Sequence, residues 1–205
     1  MTEDDAAARE PRSEEASRRQ QEPKEGTFLV THADEKSAVL RDVLTGQVHT
    51  IESNTGTKDG EGLKDGEGLK DGEELKDGEG LKDGAGLKEE EAIEGTLEPI
   101  PPLAVHWEIR TVDRRWSITI ERSEEPPTAH ERTIAAGQPP GELTREPRAG
   151  TGELHVITVP ESNTDRAVDD VARDRESILT RAARLGVGRV EIRSEPGVVS
   201  VRYLP

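Results

Sequence analysis

The chain has 205 residues, enough for one domain or two small ones, and its 44 acidic side chains outweigh 28 basic ones to leave a net charge of −16. It has no cysteine, which excludes disulfides and thiolate metal sites, and no apolar run near the roughly 18 residues of a membrane span. Four residues are aromatic: Phe28, Trp107, Trp116 and Tyr203.

The basic residues are 20 Arg and 8 Lys, and six of the lysines (Lys58, Lys64, Lys70, Lys76, Lys82, Lys88) fall in one hexapeptide tract. An acidic, lysine-poor, cysteine-free chain fits a protein of concentrated salt, where carboxylates hold hydrated cations and screening suppresses their repulsion. An ordinary acidic protein of a GC-rich genome is the alternative. Residues 1–25 carry −3, residues 58–91 carry −7 and the remaining 146 residues only −6, with no basic run of the kind nucleic-acid arms use.

In chain order, residues 1–25 read as a disordered acidic tail. Polar residues follow Arg18-Arg19, so no signal-peptide core is expected, and a cytoplasmic location follows by elimination. Residues 26–123 read as a small antiparallel β-barrel, OB-like, broken by a disordered repeat loop at 57–91. Its expected strands are Phe28–His32, Ser37–Val43, a return GQVHTIE after the Thr45-Gly46 turn, and Ala92–Leu97. Two more, LAVHWEIRTV and RWSITIERS, are expected to form a hairpin across Asp113-Arg114. That hairpin would turn Trp107 and Trp116 inward and His106, Glu108 and Arg110 outward.

The tract itself repeats KDGEGL-like units from Lys58 to Leu87. Its spacing fails the calcium-loop register, and one leucine per unit cannot bury enough to offset the entropy of ordering. Lengthening a loop from about 6 to about 36 residues costs only about 1.6 kcal/mol, so a tolerated insertion is the simplest reading. Replacing Thr57–Glu91 by a short turn should then leave the fold intact.

Residues 124–152 form a Pro/Gly-rich connection with one possible strand at Arg132–Ala135. Residues 153–205 read as a β-α-α-β-β unit: ELHVITVP, two helical stretches ending at Gly186, then a hairpin about Glu195-Pro196-Gly197. Strands that come in hairpins make the whole chain α+β.

The segments GTFLVTHADEKSAVLRDVLTGQVHTI, VHWEIRTV through RSEEPPT, and LGVGRVEIRSEPGVVSVRYLP resemble a haloarchaeal family known only as a domain of unknown function. The resemblance runs over residues 26–205 apart from the repeats, and implies that a short Gly-containing turn replaces the tract in other members. It implies no activity and no catalytic residues.

Phosphate loops, a GxSxG elbow and HExxH are all missing. His32, His49 and His106 fall on expected strands, but single strand histidines are usually surface or cross-strand partners, so no metal or cofactor is expected. Arg110, Arg114, Arg115 and Arg122 cluster near the expected Trp hairpin and are the candidate binding surface. The sequence therefore points to a non-catalytic binding or interaction module with a protein partner and no membrane role. A binder of RNA or single-stranded nucleic acid is the alternative, and an enzyme with an unrecognised site ranks third.

Overall fold

The computed structural model describes residues 22–53, 86–102 and 105–205. The expected tail up to residue 21, and the repeat tract from 54 to 85, lie outside the described residues. The chain is α+β: a closed five-stranded barrel, a five-stranded sheet and, among the described residues, three α-helices.

The barrel uses strands β1 (Lys24–Ala33), β2 (Ala38–Asp42), β3 (Val48–Ile51), β4 (Glu91–Pro99) and β5 (His106–Ser117), closed in the order β1-β2-β3-β5-β4. β3 and β5 run parallel and the other pairs antiparallel. The β2–β3 turn forms where the dipeptide suggests. Gly46 takes φ 74°, and the Asp42 carboxylate accepts the N–H groups of Leu44 and Thr45 at 2.8 and 2.9 Å. Phe28, Val30, Ala38, Leu40, Ile51, Ile93, Leu97 and Trp107 fill the interior.

The expected Trp hairpin does not form. Asp113-Arg114 lies inside β5, which stays paired with β4 from Glu91↔Ser117 to Pro99↔Trp107. Neither residue supplies the positive φ that a two-residue turn needs. Gly95 permits this long pairing, because a Cβ there would run into the Thr111 carbonyl. Trp107 is accordingly core, as expected, while Trp116 is half-buried at the far end of the same strand. The residues after Ser117 leave the barrel as β6 (Thr119–Arg122), so the barrel has five strands rather than six.

β6 joins β7 (Leu143–Pro147), β8 (Glu153–Thr158), β9 (Arg189–Glu195) and β10 (Val198–Leu204) in a second sheet of order β6-β9-β10-β8-β7. β6 pairs parallel with β9, and the remaining pairs are antiparallel. Helix α1 (Ala129–Ala136) stands where a strand at Arg132–Ala135 was expected. A capping box decides the matter: Thr128 accepts the N–H of Glu131, whose carboxylate accepts the N–H of Thr128. The connection also holds a strand, β7, that composition concealed.

Helices α2 (Thr164–Arg173) and α3 (Arg175–Leu185) follow β8 through one 3-10 turn, and α3 stops at Gly186 in the left-handed conformation, φ 67°. They cover one face of the sheet, packing Ile178, Leu179, Ala182 and Ala183 on Val190, Ile192, Val199, Val201 and Tyr203. Leu29, Val43, Ala92 and Ile118 reach the same core from the barrel side. Helix α1 covers the opposite face over Leu154, Val156 and Val198.

The end of the repeat region belongs to the fold. Leu87 is buried in the barrel core, and the Glu91 carboxylate bonds Arg115, so removing everything to Glu91 takes away both contacts. Leu87→Ala is expected to lower stability by about 2–5 kcal/mol in thermal unfolding. A loss below about 0.5 kcal/mol would show that the segment is not barrel core.

His49 is enclosed edge-on between Phe28 (5.8 Å) and Trp107 (4.4 Å), and neither ring nitrogen has a hydrogen-bond partner. Burial lowers its pKa, against the pull of Asp42 and with the aid of Lys24. Above about 6.5 the ring is neutral in both folded and unfolded chains. Below it the unfolded chain takes up the proton first, so stability falls with falling pH. His155 shifts the same way, whereas Asp34, Asp42, Glu153 and Glu191, all lowered, weaken the fold only in the carboxylate range. Denaturant midpoints of His49→Leu should therefore be flatter than wild type between about pH 6.5 and 5. Identical profiles would remove His49 as the cause.

Candidate functional site

The four candidate arginines are each engaged with separate partners. Arg110 pairs with Glu98 on the neighbouring strand. Arg114 lies 4.4 Å over the Trp116 ring and donates to the Gly186 carbonyl at 2.9 Å. Arg115 bonds Glu91 and the Gly86 carbonyl (2.7 Å), and Arg122 reaches Asp169 of α2 at 2.9 Å. Of the aromatics, Phe28, Trp107 and Tyr203 are buried, and Trp116 donates its indole N–H to the Val187 carbonyl.

The three strand histidines do not converge. His32 meets Glu89 at 2.8 Å, His106 lies 3.2 Å from Glu52, and His49 is interior. Among the described residues no group of three or more His, Asp or Glu is arranged to hold a metal ion.

A cleft of about 680 Å³ opens elsewhere, between the β2–β3 turn, one side of α3, and strands β7, β8 and β10. Topology makes it. The sheet is five strands wide, but α2 and α3 lie on β9 and β10, so the cleft face of β7 and β8 extends beyond the helices. Register places Leu143, Ile157 and Val199 in one row across that face, then Arg145, His155 and Val201, then Pro147, Glu153 and Tyr203.

An ion-pair network holds the floor. The buried Glu153 carboxylate accepts two N–H groups from Arg181, each at 2.6 Å, and lies 2.9 Å from Nε2 of His155. The Arg181 bond outweighs burial and keeps Glu153 below the usual carboxylate range. Burial lowers the pKa of His155, whose ring packs at 4.9 Å against Tyr203, inclined by 59°. Burial also pushes the Tyr203 hydroxyl up to about 12. At neutral pH the floor thus presents a neutral imidazole, a protonated phenol and a paired guanidinium. Arg184 donates to the Val43 carbonyl and Arg41 pairs with Glu176, both tying α3 to the barrel.

The rims differ from the floor. Leu44, 74% exposed on the β2–β3 turn, and Leu143, 42% exposed on β7, present apolar side chains on opposite sides. Arg145, two residues from Leu143 on the same face, is exposed and makes no hydrogen bond or ion pair among the described residues. No serine or threonine hydroxyl bonds His155 among the described residues. The rim of this cleft thus combines two exposed leucines with a cation that is unpaired among the described residues.

A smaller cavity of about 280 Å³ lies on the other sheet face, near His130, Arg148 and Arg202. There Glu191 bonds Arg193 at 2.9 Å and Arg202 at 2.8 Å, and Arg202 approaches Glu131 at 3.5 Å. Burial works to raise Glu191, but the Arg193 hydrogen bond and the neighbouring guanidinium of Arg202 hold it low. These charges are consumed by one another in fastening α1 to the sheet.

Sequence reasoning missed Leu143, Arg145, Glu153, Arg181 and Tyr203 as a set. The one local signal was the alternation in LTREP, which ends at a proline as edge strands do.

The family model for a family of unknown function, DUF5812, matches residues 24–66 and 69–194. The chain belongs to this family. The match bears out the expected membership, and it crosses most of the repeat tract rather than leaving the tract out. No curated protein and no solved structure matches the chain.

Proposed function

We propose that this family member is a non-catalytic binding module of a salt-adapted cytoplasm, and that its cleft docks a protein partner. The observation that carries this reading is that Leu44 and Leu143, both exposed, line one cleft with Arg145, which is unpaired among the described residues. Exposed apolar side chains at a concavity that also carries charged groups, here Arg41, Arg145, Asp174 and Glu176 among others, are what a binding site for a protein segment offers.

We further read the barrel as of OB type. In support stand its five strands, closed in the order β1-β2-β3-β5-β4, and the parallel β3–β5 pair. OB barrels bind ligands on the face of strands 2 and 3 between the β1–β2 and β4–β5 loops, whereas the cleft here adjoins the barrel at its β2–β3 turn and is a separate site.

Binding of RNA or single-stranded nucleic acid has less in its favour. A stacking platform needs open aromatic faces, and three of the four aromatics are buried while Trp116 lies under Arg114. The candidate arginines are spent on carboxylates and carbonyls.

A pull-down with the full chain in molar KCl, scored separately for protein and RNA, distinguishes the readings. Wild type should retain protein that Leu44→Asp loses, with RNA at background. RNA retained by wild type and lost on Arg110→Glu would favour the nucleic-acid reading instead.

The salt-adapted reading rests on an excess of acids, 44 against 28 basic residues. Unfolding midpoints should rise steeply as KCl goes from about 0.1 M to about 1 M, where the Debye length shrinks to about 3 Å. A flat response would sink that reading.

A further inference from the structure

We propose that the free edge of β7 takes an extended segment of a partner protein as a sixth strand of the sheet, selecting an apolar side chain and, two residues from it, an acidic one. This rests on the docking reading above and says what docks. β7 is one of the two outer strands of the sheet, and among the described residues only its β8 side is paired.

The phase of the ladder shows what the open side presents. The N–H of Thr158 donates to the Glu142 carbonyl and that of Arg148 to the Gly152 carbonyl, both at 3.1 Å. In an antiparallel pair the bonded residues alternate. Glu142, Thr144, Glu146 and Arg148 therefore turn their main chain toward β8, and Leu143 and Arg145 turn theirs outward. Neither has another hydrogen-bond partner among the described residues. Pro147, next in the outward phase, has no N–H and closes the edge.

The same two residues carry the exposed side chains. Leu143 and Arg145 stand on the cleft face, on the side away from Thr144 and Glu146. A strand laid along this edge sets one side chain opposite Leu143 and another opposite Arg145, about 4.5–5.5 Å away. The first meets an apolar surface continued inward by Ile157. The second meets a guanidinium that pairs with no carboxylate among the described residues. Next to Arg145 inward is His155, neutral and bonded to Glu153; the cleft also holds Asp174 and Glu176, but among the described residues no carboxylate pairs with Arg145. The complementary occupant alternates apolar, any residue, acidic. With two outward-facing residues, main-chain bonds alone give a weak anchor, and the side chains decide what stays.

The test uses the isotope-labelled full chain in molar KCl and the capped peptide acetyl-Thr-Val-Thr-Glu-Thr-Val-Thr-amide, whose symmetry serves either strand direction. Versions with Gln or Lys in place of Glu accompany it. Amide exchange should slow at Leu143 and Arg145 and stay unchanged at Thr144 and Glu146, which are already bonded. The Gln peptide should bind several-fold more weakly than the Glu peptide. Arg145→Glu should invert the order so that the Lys peptide binds best. Arg145 has no hydrogen-bond or ion-pair partner to lose among the described residues, and an unchanged unfolding midpoint verifies the fold, with Arg145→Gln as the milder variant. No slowing at millimolar peptide, or equal binding of all three peptides, overturns the proposal. If Leu44→Asp strips the protein partner while the peptides leave β7 untouched, the cleft reading stands and this one falls. If the peptides add to β7 but Leu44→Asp changes nothing, the reverse holds.

Discussion

Everything in this fold hangs on the few bonds made where β5 ends. The N–H of Ile118 donates to the Glu90 carbonyl at 2.9 Å and that of Thr119 to the Gly188 carbonyl at 2.9 Å, so two successive residues are held by different sheets. Trp116 donates to Val187 and Arg114 to Gly186, the turn that leads from α3 into β9. The side chain of Ile118 enters the core that the helices, the second sheet and the barrel residues Leu29, Val43 and Ala92 share. Because an interior is close-packed, a core common to both sheets couples their stability. The cleft depends on this coupling, since one wall comes from the β2–β3 turn and the other from α3 and the outer strands.

Buried charge strengthens the same arrangement and narrows its alternatives. Two ion-pair groups lie on opposite faces of the second sheet: Glu153 with Arg181 on the helix face, and Glu191 with Arg193 and Arg202 beneath α1. Desolvating such groups costs several kcal/mol per ion, repaid only when the geometry is good, so they are poor sources of net stability. They do penalise misplacement. If α3 slid along the sheet, Glu153 would keep its burial and lose both Arg181 bonds, leaving an uncompensated carboxylate. The ion pairs therefore fix how the helices sit, and thereby the width of the cleft.

Local chemistry made part of this legible in the sequence. The β1–β2–β3 run, the turn at Thr45-Gly46 and the stop at Gly186 follow from alternation and from positive-φ glycines, which short windows reveal. The Trp hairpin failed because period-2 alternation cannot distinguish two short strands from one long strand with bulges. β5 is the second kind, shifting register against β4 twice. α1 was hidden by the β-branched pair Thr133 and Ile134, although the Thr128–Glu131 cap outweighs that preference. The cleft was not legible at all. Leu44, Arg145, Arg181 and Tyr203 come from a turn, an edge strand, a helix and the last strand, and only the strand order β10-β8-β7 brings the last three together. Arginines near the tryptophans looked like a surface because the sequence shows proximity and not partners.

On the salt-adapted reading proposed above, screening decides which of these interactions would carry recognition. At about 1 M ionic strength the screening length is about 3 Å, so exposed charges act only in contact. The Arg110–Glu98 and Arg122–Asp169 pairs, largely open to solvent, then contribute little beyond local geometry. Glu153 and Glu191 keep their partners because burial excludes the ions that would screen them. The same reasoning applies to a ligand. Long-range steering toward Arg145 is suppressed, and a carboxylate gains from it only once seated against it. What brings a segment to that point must be insensitive to salt, namely the apolar contact with Leu143 and Leu44 and the main-chain bonds of an open strand edge. In concentrated salt an apolar rim beside a cation that is unpaired among the described residues would be favoured over the broad basic patch that serves in dilute salt.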